Sequence, residues 1–504
     1  MPERLKPVLP KKRFWGLVFL VLVFVFYLRI VIDPDLGWHL KVGEYIIETR
    51  TIPRRDLFSF SLPDYPYIYH SWLAETLLYL AYRQFGLWGV TFFYCFWATL
   101  AVWVIARIIS LRTKQTWPYF FLVLMTPLIQ TTTYLRIQLF TFLGLCLIYF
   151  IFRKFLLDKS RLIWLIPLVF ALWANLHGGF FLGLMFFGAL LAVESTVFLF
   201  REILPFKVYG DIGFKLSFKN FLELFLVFFL SLVSALINPY GFGVYFQALV
   251  MGSNRFASRL NLDWTPLVRA SDFSWLFALL LFGAIAAILL IKNKVELREK
   301  LMILIFFLLA LRLNRFVLAL MVVLLPALIF FLEELKEKID RTLAKMRPIL
   351  ALVILPLMLV FFGQAADICL RMKKAYADES VYAQEMIPPY TYPQGAVEYI
   401  KKNPVPERLL NDYNWGGYLI WKLPDRKIFI DGRMDNFFVD GESFAEKHWQ
   451  TTTLKPGWEK LLTDYQIEAI LISTDWPLAQ GLRLLPAWRL LYEDEGSVLF
   501  EKVK

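Results

Sequence analysis

The chain has 504 residues, of which 58% are hydrophobic and only 19% charged, and its mean hydropathy is +0.55. A soluble globule cannot cover that much apolar side chain, so the composition excludes an ordinary water-soluble enzyme and points to a polytopic membrane protein. The formal charge of +12 then reads as basic cytoplasmic loops rather than a nucleic-acid surface, and three scattered cysteines (Cys95, Cys146, Cys369) exclude a disulfide framework or a zinc motif.

The first apolar run, Phe14–Ile32, follows Lys11, Lys12 and Arg13. It is long for a signal peptide and no small-x-small cleavage site follows, so a retained first span with a cytoplasmic N-terminus is expected. Residues 33–86 then form a long first outer loop, opening on Asp33-Pro34-Asp35. Asp33 can cap a helix, Pro34 suits its first position and Asp35 favours the positive end of the dipole. A partly desolvated carboxylate at the lipid boundary can equally serve as a general base, and a D-x-D pair can hold a divalent cation such as Mg or Mn. Behind them Trp38, Val42, Tyr45 and Ile46 make an apolar stripe opposite Lys41, Glu44 and Glu48. A second apolar stretch, Trp72–Phe85, carries Glu75 and Arg83. Both predict helices lying in the outer interface.

Further spans are expected near 87–110, 117–131, 137–152, 162–176, 179–199, 221–237, 273–291, 301–313, 315–333 and 348–366, about eleven with the first by the length rule. Alternate connections hold Arg107/Arg112/Lys114, Arg153/Lys154/Lys159/Arg161, Lys207/Lys215/Lys219, Lys292/Lys294/Arg298/Lys300 and Lys336/Lys338/Arg341/Lys345/Arg347, all on the side of the N-terminus. The short segment 301–313 is tolerable where a broken pair lines a cavity. An odd number of spans puts the tail outside, giving a transmembrane domain over 1–366 and an extracytoplasmic domain over 367–504. The tail mixes strand-like runs at 427–430, 468–473 and 497–502 with helical stretches at 394–402 and 455–465, which predicts a soluble α/β domain.

Chemistry-bearing residues gather at expected outer ends. His39, His70 and His177 all fall there, three of the four histidines, and suggest a polar pocket, although packing accounts for a lone histidine. Asn175 and His177, in "WANLHGGFFLG", sit between two spans; Gly178 and Gly179 serve a tight turn, and a buried Asn must find a partner or line a cavity. Arg136 with Gln138 opens one span, and Arg312, Asn314 and Arg315 lie between two others. Such arginines either snorkel to the interface or grip phosphate, whose oxygens the guanidinium fork matches. In the tail, "NDYNWGGYLIWKLPDRKIFIDGRMDNF" (411–437), with Asp431 and Arg433, reads as a hairpin built on a glycine pair or as a sugar-binding surface.

Together these pieces resemble the GT-C glycosyltransferases, membrane enzymes that use polyprenyl-phosphate-linked sugars. In the protein O-mannosyltransferases and aminoarabinose transferases an Asp-Glu pair follows the first span, with an interfacial helix behind it and a Pro-Pro-Leu stretch before the second. Asp35 looks like the leading Asp, "GWHLKVGEYIIETRTIP" is similar to the first interfacial helix and "YHSWLAETLLYLAYRQFG" to the second. Leu36 stands where the family has Glu, and His70-Ser71 where it has Pro-Pro. "WGGYLIWKLPDRKIFIDGR" is loosely similar to the Trp-Trp-Asp-Tyr-Gly region of oligosaccharyltransferase catalytic subunits. The whole layout is similar to uncharacterised bacterial membrane proteins with the same tail, so the resemblance implies a reaction class and no substrate.

What it implies is inverting sugar transfer at the outer face of the cell membrane. Asp35 would be the base, with Asp33 the other catalytic candidate and Asp35's assisting group left open, and Arg136, Arg312 and Arg315 would hold the donor phosphate. Gln138, His39, His70, Asn175, His177, Asp431 and Arg433 would line the substrate site. The acceptor is an extracytoplasmic lipid, glycan or protein, and no cofactor beyond the divalent cation is implied. Two rivals remain: a transporter of lipid-linked substrate, which should show interrupted spans around a midplane site, and a non-catalytic assembly or glycan-binding protein, because fold likeness does not secure catalysis.

Overall fold

The structure, a computed structural model, describes residues 11–132, 135–200, 216–253, 275–291, 295–378, 382 and 392–503. Lys207, Lys215, Lys292 and Lys294, used above for the charge bias, lie outside them. The helices begin with α1 (Lys11–Tyr27), α2 (Leu36–Thr49), α3 (Trp72–Ser110), α4 (Trp117–Thr132), α5 (Leu139–Asp158), α6 (Ile166–Leu176) and α7 (Phe180–Phe200). They continue with α8 (Phe218–Ser234), α9 (Gly243–Ser253), α10 (Trp275–Leu290), α11 (Leu297–Arg312) and α12 (Val317–Ala377). The chain divides into two compact units. The first comprises residues 1–29, 94–241 and 261–369, and the second 30–93, 242–260 and 370–504, which joins the expected outer loop to most of the expected outer domain.

Among its described residues the first unit is helical. α1 packs on α4, α5 on α6 and α7, and α8 on α6 and α7. Its buried seam is aromatic and aliphatic, with Phe142, Phe152, Phe170 and Phe186 out of contact with solvent, while Leu172 (52% exposed), Phe229 (60%) and Leu308 (56%) point outward as lipid-facing residues do. Glu296 and Glu299 form a capping box that extends the short span expected at 301–313 back to Leu297. The same glutamates gather arginines. Arg153 grips Glu296 with two bonds of 2.7 and 3.0 Å, Arg112 reaches Glu299 at 3.0 Å, and Arg298 lies 2.7 Å from Glu194. Burying these charges is tolerable because each has an opposite partner.

Stretches Trp72–Ser110, Leu139–Asp158, Phe180–Leu199 and Asn314–Leu335 are long and apolar enough to cross a membrane, and Phe14–Tyr27, Trp117–Pro127, Arg161–Leu176 and Leu281–Leu290 are shorter apolar helices. Gly86, with φ 58° and ψ −146°, interrupts α3 in a conformation open only to glycine, separating the stretch Trp72–Phe85 from the expected span at 87–110. The first helix ends at Tyr27, short of the expected Ile32. Where separate spans were expected over 315–333 and 348–366, the backbone runs as one 61-residue helix, α12, through the basic stretch 336–347. No hairpin turns there, because Lys and Arg are good helix formers and no Gly interrupts the run.

The second unit contains α2, the start of α3, α9 and the tail. In the tail lie α13 (Gln394–Lys402), β1 (Leu409–Asn411), α14 (Gly416–Lys422), a 3-10 turn at Gly432–Asn436, and a short hairpin of β2 (Phe438–Val439) and β3 (Glu442–Ser443). α15 (Phe444–Thr452), α16 (Glu459–Asp464), β4 (Ala469–Ser473), α17 (Pro477–Arg483), β5 (Trp488–Glu493) and β6 (Ser497–Lys502) follow. Four strands form one sheet in the order β1-β4-β6-β5, with β1 parallel to β4 and the other pairs antiparallel. β4 is central and apolar, as the run at 468–473 predicts. The run at 427–430 is not a strand of this sheet. Ile428 instead exchanges backbone bonds with Phe58 and Phe60, at 3.0 Å each, so its partner is the first loop of the same unit. β1 is three residues long and β5 is half-exposed, which leaves neither with a strand pattern to read. The helix expected at 455–465 is confined to Glu459–Asp464, since Gly457 takes φ 82° just before it.

Candidate active site

The second unit folds the Asp33-Pro34-Asp35 corner against the tail motif. Asp33 is buried and its Oδ1 accepts the Asp35 backbone N–H at 3.1 Å, while its carbonyl accepts from Leu36 N–H and the Tyr392 hydroxyl. It therefore caps the first turn leading into α2. Asp35 precedes α2 and its side chain caps nothing; Oδ1 accepts instead from the Trp38 indole N–H at 2.9 Å. A carboxylate at this place gains from the positive end of α2 and is held in one orientation by the indole.

The glycine pair of the tail explains how α14 reaches this corner. A Cβ on Gly37 would fall 1.9 Å from Gly417 O, one on Gly417 would fall 2.2 Å from Pro34 O, and one on Gly416 would fall 2.2 Å from Ile430 O. Only bare backbones allow α2 and α14 to approach this closely. Gly432 repeats the device at the site itself, where an added Cβ would stand 2.3 Å from Asp35 Oδ1. Where a hairpin was one expectation, the backbone forms a helix, α14, and a 3-10 turn whose Gly432 packs on Asp35.

Arg433 fixes that turn. Its side chain is 0% exposed, with Nη1 2.8 Å from Asp56 Oδ1 and 2.9 Å from the Tyr69 hydroxyl. Its Nε and Nη2 fork onto Asp431 at 2.8 and 2.5 Å, and Asp431 Oδ1 also accepts the Arg433 N–H. Phe58 and Tyr67 wall the guanidinium. Burial pushes the Asp56 carboxyl up, but Arg433 and bonds from Ser59 outweigh it, so Asp56 titrates below the usual range. Asp431 and Arg433 thus lie inside the unit as a strut that sets Gly432 and Asp435.

Asp435 is buried, and its Oδ1 accepts the Tyr413 hydroxyl at 2.7 Å. The same hydroxyl lies 3.3 Å from Gly432 O. Burial, with Asp35 and Asp431 nearby, raises Asp435 to about 7 against the Tyr413 bond. His39 Nδ1 lies 3.0 Å from Glu75 Oε1 on α3, both buried, and His70 Nδ1 meets Gln247 of α9 at 3.1 Å. Of the expected residues, Asp33, Asp35, Asp431 and Arg433 come together here. Asp435, Tyr413, Asp56 and Glu75 were not foreseen. Glu75 was visible as an acid in an apolar stretch, and Tyr413 and Asp435 lie within the stretch 411–437 without standing out in it, while nothing in the chain order signals Asp56.

The remaining candidates belong to the first unit. Arg136 and Gln138 sit in the turn before α5, where Gln138 O accepts from Thr141 N–H. Thr141 Oγ1 meets His177 Nδ1 at 2.6 Å, and the same nitrogen accepts the Gly179 N–H at 3.0 Å. Because Nδ1 accepts from a backbone donor, the neutral ring carries its proton on Nε2. Gly179 is tightly constrained: an added Cβ would strike Thr141 Oγ1. Asn175 donates to Ala171 O and Ile237 O at 2.7 and 2.8 Å, tying α6 to the segment after α8. Arg312 is the exposed last residue of α11, and Arg315 lies in the 3-10 turn Asn314–Phe316 that follows. Among the described residues no three His, Cys, Asp or Glu side chains gather as a metal ion requires.

No protein-family model matches the sequence. No curated protein does either. Solved structures do. The archaeal oligosaccharyltransferase AglB from Archaeoglobus fulgidus, in complex with an inhibitory peptide and a dolichol-phosphate, superposes with a TM-score of 0.57 at 12% identity, over 98% of this chain and 75% of that one. ArnT from Cupriavidus metallidurans bound to undecaprenyl phosphate gives 0.51 at 13% identity, over 98% of each chain. Its apo form gives 0.54 at 12% identity, over 98% and 99%. The chain thus shares the fold of these structures, and among its described residues four stretches are long and apolar enough to cross a membrane.

Proposed function

We propose that the protein is a membrane glycosyltransferase that moves a sugar from a polyprenyl-phosphate-linked donor to an extracytoplasmic acceptor, with inversion. The observation that carries this reading is Asp35. In a chain of this fold, a carboxylate stands at the start of the first outer loop, held by the Trp38 indole and approached by the bare backbone of Gly432. The AglB and ArnT structures hold dolichol-phosphate and undecaprenyl phosphate, which supports a lipid-linked donor here.

In the proposed step Asp35 takes the proton of an acceptor O–H or N–H. The electron pair released attacks the anomeric carbon from the face opposite the phosphate. The bond from that carbon to the phosphate oxygen breaks, and its pair leaves with the polyprenyl phosphate. Arg136, Arg312 and Arg315 neutralise the departing phosphate, and His177 lines the substrate pocket. Asp33 holds the corner, and Gln138, His39, His70 and Asn175 are further substrate-site residues in this reading. No step is routed through a divalent cation. The protein sits in the cell membrane with its N-terminus in the cytoplasm and its tail outside.

The test is transfer from a short-chain polyprenyl-phosphate sugar by the purified protein. Asp35→Asn is expected to lower the rate by on the order of 10²–10⁴-fold with the protein still folded. Asp33→Asn is expected to be mild, because Asn caps about as well as Asp. A dead Asp33→Asn beside an active Asp35→Asn reverses the two roles. Arg312→Lys and Arg315→Lys should weaken binding of the phosphate analogue, since lysine lacks the fork; parental binding by both moves the phosphate site elsewhere.

A further inference from the structure

We propose that Asp435 is the second carboxyl group of the acceptor site, a protonated partner to Asp35 that donates a hydrogen bond to the incoming nucleophile. This rests on the transferase reading above. The placement follows from the turn Gly432–Asn436. In a 3-10 helix residues three apart eclipse, so Gly432 and Asp435 share a face. Gly432 is the residue packed on the Asp35 carboxylate, and that face is therefore turned to Asp35. Tyr413 spans the same two residues, at 2.7 Å from Asp435 Oδ1 and 3.3 Å from Gly432 O, and holds the carboxyl in place.

Two neighbouring carboxyl groups, one of them buried and the other half-buried, do not both ionise readily. Asp35 has the indole N–H and the start of α2 to favour its charge; Asp435 has burial and two neighbouring acids against it. The titratable groups acting on Asp435 are Tyr413 from the preceding turn, Asp35 from the corner before α2, and Asp431 in its own turn. On α15, which packs on this turn, His448 donates to Asn411 O, and burial holds its pKa down at about 4, so it stays neutral. The result is an acceptor and a donor side by side, one carboxylate and one carboxylic acid. That pair suits a nucleophile with both an exchangeable proton and a free lone pair, an alcohol or a carboxamide, and repels a phosphate or carboxylate acceptor. As the nucleophile's proton passes to Asp35, Asp435 keeps its own, and the pair carries no charge when the new glycosidic bond has formed.

Infrared difference spectra of the purified protein across neutral pH should show one protonated-carboxyl band that disappears with a midpoint near 7. The band should be missing from Asp435→Asn. Transfer to an alcohol acceptor should fall about tenfold per pH unit on the alkaline side, and Asp435→Asn should lack that fall whatever its plateau rate. Tyr413→Phe should move both the band and the fall to higher pH, because the lost hydroxyl favours the ionised form. That variant serves as the test should Asp435→Asn fail to fold. A band that persists in Asp435→Asn, or an alkaline fall unchanged in it, overturns the proposal. A band that behaves as stated with no transfer to any alcohol or carboxamide overturns the transferase reading and the acceptor role with it.

Discussion

At the scale of single residues, Arg433 carries the heaviest consequence. It is a buried cation whose donors serve Asp56, Asp431 and Tyr69, so its removal leaves two buried carboxylates without compensation. Arg433→Ala is expected to destabilise the second unit by about 3–5 kcal/mol, read as an earlier thermal unfolding transition in detergent. Arg433→Lys should fall between, since one ammonium cannot face two carboxylates as a fork does. A transition unmoved by Arg433→Ala contradicts the strut. Residue chemistry was partly legible in the sequence. Asp33 and Asp35 stand out because acids beside an apolar run are costly without a purpose. Asp435 and Tyr413 were hidden because what gives them meaning, proximity to Asp35, arises between segments far apart in the chain.

At the scale of elements, the contact of α2 with α14 depends on glycines with no room for a methyl group. Gly417→Ala would drive a Cβ to 2.2 Å from Pro34 O, a backbone atom that cannot step aside. The expected cost is about 1–3 kcal/mol, accompanied by loss of transfer, because the corner holding Asp35 must move. Gly283→Ala on α10 is the control, since nothing lies within 4 Å of its added Cβ. It should be neutral or stabilising by helix propensity. Equal losses in the two variants, measured by thermal unfolding and transfer rate, would remove the close approach as the cause. Most helices were legible from apolar period and length, and the capping box at Glu296 and Glu299 could have been read for α11. The continuity of α12 could not, because a basic stretch between apolar runs looks the same in a loop and in a helix. The run at 427–430 misled for another reason: apolar alternation reports that a segment pairs, not with what.

For the whole molecule, the odd number of spans no longer decides where the tail lies once α12 is one helix. Side-chain bonds do better. Arg433 of the tail is bonded to Asp56 of the first loop, and Ser61 of that loop donates to Phe429 O at 2.5 Å, so loop and tail fold together within the second unit, and the proposed topology places both outside. On the proposed orientation, cysteines at Asp64 and Asp440 should both react with an impermeant reagent on intact cells. The exposed native Cys369 must first be replaced. One position reactive and the other protected would break the arrangement.

The glutamates of the first unit bear on how such an orientation is acquired. Arg112, Arg153 and Arg298 count among the basic residues expected to hold their loops in the cytoplasm, yet in the folded unit they face Glu299, Glu296 and Glu194. A cation closed into such a pair offers little net charge to a membrane potential or an anionic lipid surface. Whatever these arginines contribute to orientation is therefore exerted on the newly made chain, before the helices meet. Assembly then spends the signal, because each of the three cations is closed against a glutamate.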